Sequence, residues 1–164
     1  MSADNQQGRT REEAGNYIAG FVDGEGSFSI TVQRSKNVRL GIQIIPEFHA
    51  CQHSNRTETL EFIKEHLRCG YLKPNHRKNP NDLTWVFVVR DLKNLQEKVI
   101  PFFMDYPLIA KRQDFGKFRN IVNMMDKKLH LTKNGLAEIL KIAFSMNSSG
   151  KYRKLSLKEL LLSL

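Results

Sequence analysis

Between residues 10 and 34 the spacing of apolar side chains changes once, over three residues. Ala14, Tyr17, Ile18, Phe21 and Val22 recur at intervals of three and four, whereas Phe28, Ile30 and Val32 recur at intervals of two. The first spacing stacks side chains on one face of a helix; the second lines one face of a strand. Thr10 followed by Glu13 forms a capping-box pattern, so the helix is expected from about Arg11 to Asp23, with Gly24 and Gly26 ending it. The strand that follows carries Ser27, Ser29, Thr31 and Gln33 on its second face. Helix and one-sided sheet must therefore share a core.

The same logic orders the rest. Ser35, Lys36 and Asn37 suit a turn, after which Leu40, Ile42, Ile44 and Phe48 alternate with Arg39, Gln43, Glu47 and His49, predicting a long hairpin with one polar face. Leu60, Ile63 and Leu67 mark a second helix. Gly70-Tyr71-Leu72 opens a third strand, expected to break at Pro74; Asn75 to Asp82 is turn-rich, and Thr84 to Val89 is the most β-prone run. Asp91 can cap a helix toward Pro101. Phe115, Phe118, Ile121, Val122 and Met125 place an amphipathic helix from Lys111 to about Lys128, Thr132 caps the next, and Ser156-x-x-Glu159 is expected to box the last. The order is α-β-β-α-β-β-α with additional C-terminal helices: an α+β domain over residues 10–164 behind a polar arm, residues 1–9.

The 164 residues carry a net charge of +9, and the excess is lopsided: residues 1–82 hold 11 basic and 10 acidic side chains, residues 83–164 hold 15 and 7. A folded domain with this balance favours a polyanionic partner. No apolar run approaches a membrane span and the first dozen residues are polar, so a soluble intracellular protein without membrane association is expected. Cys51, His53, His66 and Cys69 have the side-chain types of a zinc site, but Cys51 and His53 read as strand rather than knuckle, and two small buried thiols with two surface histidines is the better reading.

The chemistry concentrates where the periodicity switches, in Ile18-Ala19-Gly20-Phe21-Val22-Asp23-Gly24-Glu25-Gly26. Asp23 and Glu25 sit at a helix C-terminus, where the macrodipole disfavours negative charge by about 0.3–1 kcal/mol each. A compensating cation is expected: a lysine, an arginine or a divalent metal. This nonapeptide resembles the motif for which the LAGLIDADG homing endonucleases are named, matching at Ala19, Gly20, Asp23 and Gly26, with apolar equivalents at Ile18, Phe21 and Val22. One copy is present, as in the single-motif branch.

The resemblance implies a homodimer packed through Ile18, Ala19, Gly20 and Phe21, cutting both strands of a long, partly palindromic DNA site with short 3′ overhangs. It implies Glu25 and the Gly24 carbonyl as ligands of Mg²⁺ or Mn²⁺, with no small-molecule cofactor, and Gln52, Arg56 and Lys111 as further catalytic residues. Asp23 either holds the motif or touches metal. The polar sheet face supplies DNA contacts: Ser29, Thr31, Gln33, Arg39, Gln43, Glu47 and His49 from the first hairpin, and Tyr71, Lys73, Asn75, Arg77 and Lys78 from the second. Lys151, Arg153 and Lys154 look like phosphate clamps. An RNA maturase or a non-cleaving DNA-binding regulator is the alternative, and an organelle (mitochondrion or chloroplast) or the nucleus is a setting the family allows.

Overall fold

The computed structural model describes residues 10–76, 78–147 and 153–164. The polar arm, Arg77 and Lys151 lie outside the described residues. The first helix, α1 (Arg11–Glu25), runs two residues beyond the expected end, and its capping box is formed: Thr10 N–H donates to Glu13 Oε2 at 2.6 Å and Glu13 N–H to Thr10 Oγ1 at 3.2 Å. Gly26 caps it because the chain must fold back against its own last turn; a Cβ there would lie 2.8 Å from the Val22 carbonyl oxygen.

Strand β1 (Gly26–Arg34) pairs antiparallel with β2 (Ile42–His53), in the register Gly26↔Ala50 to Arg34↔Ile42. A 3₁₀ turn (Ser54–Arg56) leads into α2 (Glu58–Leu67), then β3 (Tyr71–Pro74) and β4 (Thr84–Val89). The sheet order is β1-β2-β4-β3, antiparallel throughout. Pro74 does not break β3: it pairs with Trp85 on an edge strand, where its missing N–H faces no neighbour. Helices α3 (Leu92–Asn94) and α4 (Ile100–Asp105) flank a π-helical stretch, Leu95–Val99, and α5 (Arg112–Asp126), α6 (Lys133–Phe144) and α7 (Leu157–Leu162) follow. Thr132 and Asp91 cap as expected. Ser156 is the cap residue of α7 but its side chain makes no capping hydrogen bond, so the expected box is not formed.

Helices α1, α2, α5 and α6 all pack on the sheet. Every sheet residue in the main core has one parity: Phe28 and Ile30, Ile42, Ile44, Phe48 and Ala50, Phe87 and Val89. Phe28 is the hub, with ring centroids of Phe48, Phe103, Phe115 and Phe118 at 5.1–5.4 Å. The other parity faces away from this core, the arrangement of an antiparallel sheet covered on one side. Among the described residues, no helix is long and apolar enough to cross a membrane, and no group of three or more His, Cys, Asp or Glu is placed to hold a metal ion.

Candidate nucleic-acid interface and catalytic corner

The corner where α1 becomes β1 is built by a reciprocal lock. The Asp23 carboxylate accepts the backbone N–H groups of Ile109 (2.8 Å), Ala110 (3.1 Å) and Lys111 (3.0 Å), which lead into α5. Burial alone would raise the Asp23 pKa, but the three donors and the Lys111 charge outweigh it and hold the carboxyl below its ordinary value. In return the Lys111 ammonium donates to the carbonyls of Asp23 (2.5 Å) and Gly24 (3.4 Å). Helix α1 has no basic residue in its last turn, so Lys111 is the cation its C-terminal dipole requires. Asp23 therefore holds the motif.

Glu25 is different. It is exposed, and among the described residues its carboxylate has neither a hydrogen-bond nor an ion-pair partner. A free carboxylate next to a carbonyl only loosely engaged by Lys111 is an all-oxygen donor set that fits a hard divalent cation, which retains waters in its other positions. Gln52 has the helix-facing parity of β2, pairs with Trp85, and stands two residues beyond the Gly26↔Ala50 pair, beside the same corner; its Oε1 accepts the His53 N–H at 2.8 Å. Arg56 is exposed in the 3₁₀ turn that follows.

On the dimer-face residues the structure corrects the reading. Ile18 is wholly buried and Ala19 nearly so, both inside this protomer's own core, because they lie on the sheet side of α1. Gly20 is exposed and Phe21 half-buried. A Cβ built on Gly20 or on Gly24, one turn later, would meet nothing within 4 Å, so the open stripe of α1 runs through these two glycines.

The sheet's open face carries Ser29, Thr31 and Gln33 opposite Glu47, Ile45 and Gln43, with Gln33 Nε2 donating to Gln43 Oε1 at 2.8 Å. His49 and Cys51 lie opposite Val88 and Val86, which pair with Tyr71 and Lys73. Val86 and Val88 are buried yet stand outside the main core cluster, forming an apolar floor to this face. Tyr71, Lys78 and Lys154 are exposed and Lys73 half-buried.

Four expected DNA contacts are otherwise engaged. Arg39 belongs to the turn before β2, and its Nη2 donates to the Leu131 carbonyl. Asn75 Nδ2 donates to Asp82 Oδ2 at 3.3 Å, and with His76 it ties down the β3–β4 loop. Arg153 donates to the carbonyls of Ile30 (2.8 Å) and Ala143 (2.9 Å) and stacks over Phe144 at 4.8 Å; burial lowers its pKa, and it pins the C-terminal segment rather than a phosphate. Glu47 spends both oxygens, accepting from His49 Nδ1 (3.1 Å) and from Arg90 Nε. Arg90 escaped the sequence reading, although it continues the parity of Thr84, Val86 and Val88 by one step.

A cleft of about 630 Å³ lies elsewhere, lined by Arg11, His66, Arg68, Lys98, Phe102 and Tyr106. It opens by the first turn of α1, about 20 Å along the helix from Glu25 at 1.5 Å per residue, and is separate from the corner where α1 becomes β1.

Helices on one face, an open sheet face on the other and an exposed acid at their junction define an α+β domain. The family model for LAGLIDADG endonuclease matches residues 18–122, and the chain belongs to that family. Homing endonuclease I-ApeII of Aeropyrum pernix is 30% identical over 149 residues, covering 88% of this chain and 86% of that protein. The archaeal intron-encoded homing endonuclease I-Vdi141I, solved in complex with DNA, superposes with a TM-score of 0.84 at 34% identity over 94% of this chain and 96% of that one. I-SmaMI, solved on an uncleaved DNA target in the presence of calcium ions, gives 0.74 at 32% identity over 80% of this chain and 44% of that one. The chain spans less than a third of the length of several curated relatives it matches, such as 24% of a probable intron-encoded endonuclease of Neurospora crassa, and 86% of I-ApeII.

Proposed function

We propose that this protein is a site-specific double-strand DNA endonuclease, a homing endonuclease acting as a homodimer with divalent metal. The observation that carries this reading is Glu25: an exposed carboxylate without a partner, kept at a helix end whose dipole opposes it. A regulator or maturase that only binds has no use for it. Glu25 and the Gly24 carbonyl would hold the ion, Mg²⁺ or Mn²⁺, which when bound lowers the pKa of water and stabilises charge on the leaving oxygen. Lys111, already aimed at this corner, offsets phosphate charge. Gln52 orients the attacking water and Arg56 receives the phosphate from the exposed turn. One motif supplies one acid, so both strands are cut only when two copies meet; the open stripe at Gly20 and Gly24, flanked by Phe21, allows two α1 helices to approach closely and leave short 3′ overhangs. Ser29, Thr31, Gln33, Gln43, His49, Tyr71 and Lys73 face the bases, with Lys78 and Lys154 outside them on phosphates.

Supercoiled DNA carrying a library of candidate sites is the test. Linear product is expected with Mg²⁺ and none with EDTA; wild-type protein that never cuts overturns the reading. Gly20→Leu fills no space inside the protomer, so a folded monomer that no longer linearises DNA is expected by size-exclusion chromatography. A dimer of unchanged stability would place the interface elsewhere. Log affinity should fall with log salt at about −0.9 per phosphate neutralised.

A further inference from the structure

Arg90 follows β4 directly and stands one register step beyond Phe48↔Val89, opposite Glu47, in the inner strand pair of the sheet. Its Nε is fixed by Glu47 Oε2, while half of its side chain remains exposed. With Nε engaged, the two Nη groups are the free donors, at the end of a fork whose direction Glu47 sets. The second Glu47 oxygen takes His49 Nδ1, and His49 is also hydrogen-bonded to the Cys51 side chain. The exposed end of the cluster is therefore the Arg90 donor pair, while the Glu47 carboxylate is only 17% exposed and already accepts at both oxygens. Beside it, Val86 and Val88 offer no polar group. A β-ribbon lying in a major groove carries the side chains of its groove-facing parity over the base edges, and Arg90 has that parity. Guanine is the base whose major-groove edge presents two adjacent acceptors, N7 and O6.

We propose that Arg90 is a specificity-determining residue that reads one guanine in each half of the DNA site, and that Glu47 acts as its positioning residue rather than as a base contact. The proposal rests on the sheet face being the DNA-reading surface. Glu47 and His49 then matter to sequence preference through Arg90, although neither needs to touch the base that Arg90 reads.

The experiment is selection of cleaved or bound sites from a randomised duplex library, with wild type, Arg90→Ala, Arg90→Lys and Glu47→Gln, each checked for folding by circular dichroism. Wild type should prefer guanine at one position per half-site by roughly 5- to 150-fold, and Arg90→Ala should reduce that position to about twofold or less while other positions keep their preferences. Arg90→Lys keeps the charge but lacks the fork, so it should not restore the preference. Glu47→Gln should weaken the same position and no other. An unchanged profile in Arg90→Ala, a full preference in Arg90→Lys, or an equal loss at all positions in Glu47→Gln overturns the proposal. Wild-type protein that enriches no sequence at all removes the site-specific reading itself, a result distinct from any of these.

Discussion

Two glutamates in this protein have opposite lives. Glu25, at the end of α1, is exposed and unpartnered among the described residues, in a field that disfavours its charge. Glu47, in mid-strand, has a side chain only 17% exposed and both oxygens occupied, one by His49 and one by Arg90. Burial pushes the Glu47 pKa up, but its two cationic partners outweigh that and hold it below the ordinary value. The contrast teaches how to read an acid on a basic protein. A carboxylate consumed by two neighbours is part of the scaffold; one held free against its local field has capacity left for a ligand.

The sharpest way to break this comparison is to neutralise both. Glu25→Gln should lower cleavage on the order of a thousandfold or more, since a metal-held charge in the transition state is worth several kcal/mol, while DNA affinity in a filter or anisotropy assay changes little. Glu47→Gln should leave a far larger fraction of the cleavage rate. Equal losses in the two variants would erase the distinction.

Both regions hang from one aromatic hub, which sets the next effect. Phe28→Ala should cost about 3–5 kcal/mol of folding stability by denaturant titration. Phe28 sits inside four rings, and its carbonyl also accepts Asn147 Nδ2 at 2.9 Å. A loss below about 1 kcal/mol would mean the hub relaxes, and the two regions are then not mechanically joined through it.

Asp23 sharpens the catalytic side. Asp23→Ala removes the acceptor of three backbone donors and should cost about 1–2 kcal/mol, in the range of lost helix caps, and it should also lower cleavage by freeing Lys111. Lys111→Ala should lower cleavage with less effect on stability, because the Asp23 bonds to residues 109–111 use backbone groups. The Asp23 pKa is depressed on folding. Its contribution is therefore present above the unfolded value near 3.9 and fades as pH falls through the lower folded value. The stability gap between wild type and Asp23→Ala should shrink in acid, and a gap that grows would reverse the assignment.

The smallest effect belongs to the sheet face. Cys51 and the Glu47 carboxylate hold His49 charged and raise its pKa from 6.5 to about 9. A raised pKa stabilises the fold fully below about 6.5 and the contribution is lost as pH rises through about 9. Urea midpoints of wild type and Glu47→Gln should therefore converge between those values. Parallel curves would place the His49 charge under other control.

How much of this was legible beforehand follows the sequence distance over which each feature acts. The α1 capping box spans three residues and the switch to alternation needs only neighbours, so both could be read directly. The alternating face of β1 and β2 was likewise visible, except that Arg39 sits in the turn and its guanidinium reaches Leu131, 92 residues away. Pro74 looked like a break because a single strand does not reveal whether it will be an edge. Ile18 and Ala19 share the motif with Gly20, yet only packing shows that they face their own sheet while Gly20 faces out.

What the sequence determined by itself was therefore the local grammar: one helix turning into one strand, a one-sided hairpin, an acid at the junction, and a basic charge that favours a polyanion. The tertiary structure alone decided which polar side chains were already spoken for. Asp23 with residues 109–111, Glu47 with Arg90, and Arg153 with Ile30 are joined across 43 to 123 residues. Residue type records that a group can donate or accept, and spacing records which face it takes. Whether a partner already waits there depends on elements brought together only when the hydrophobic core closes.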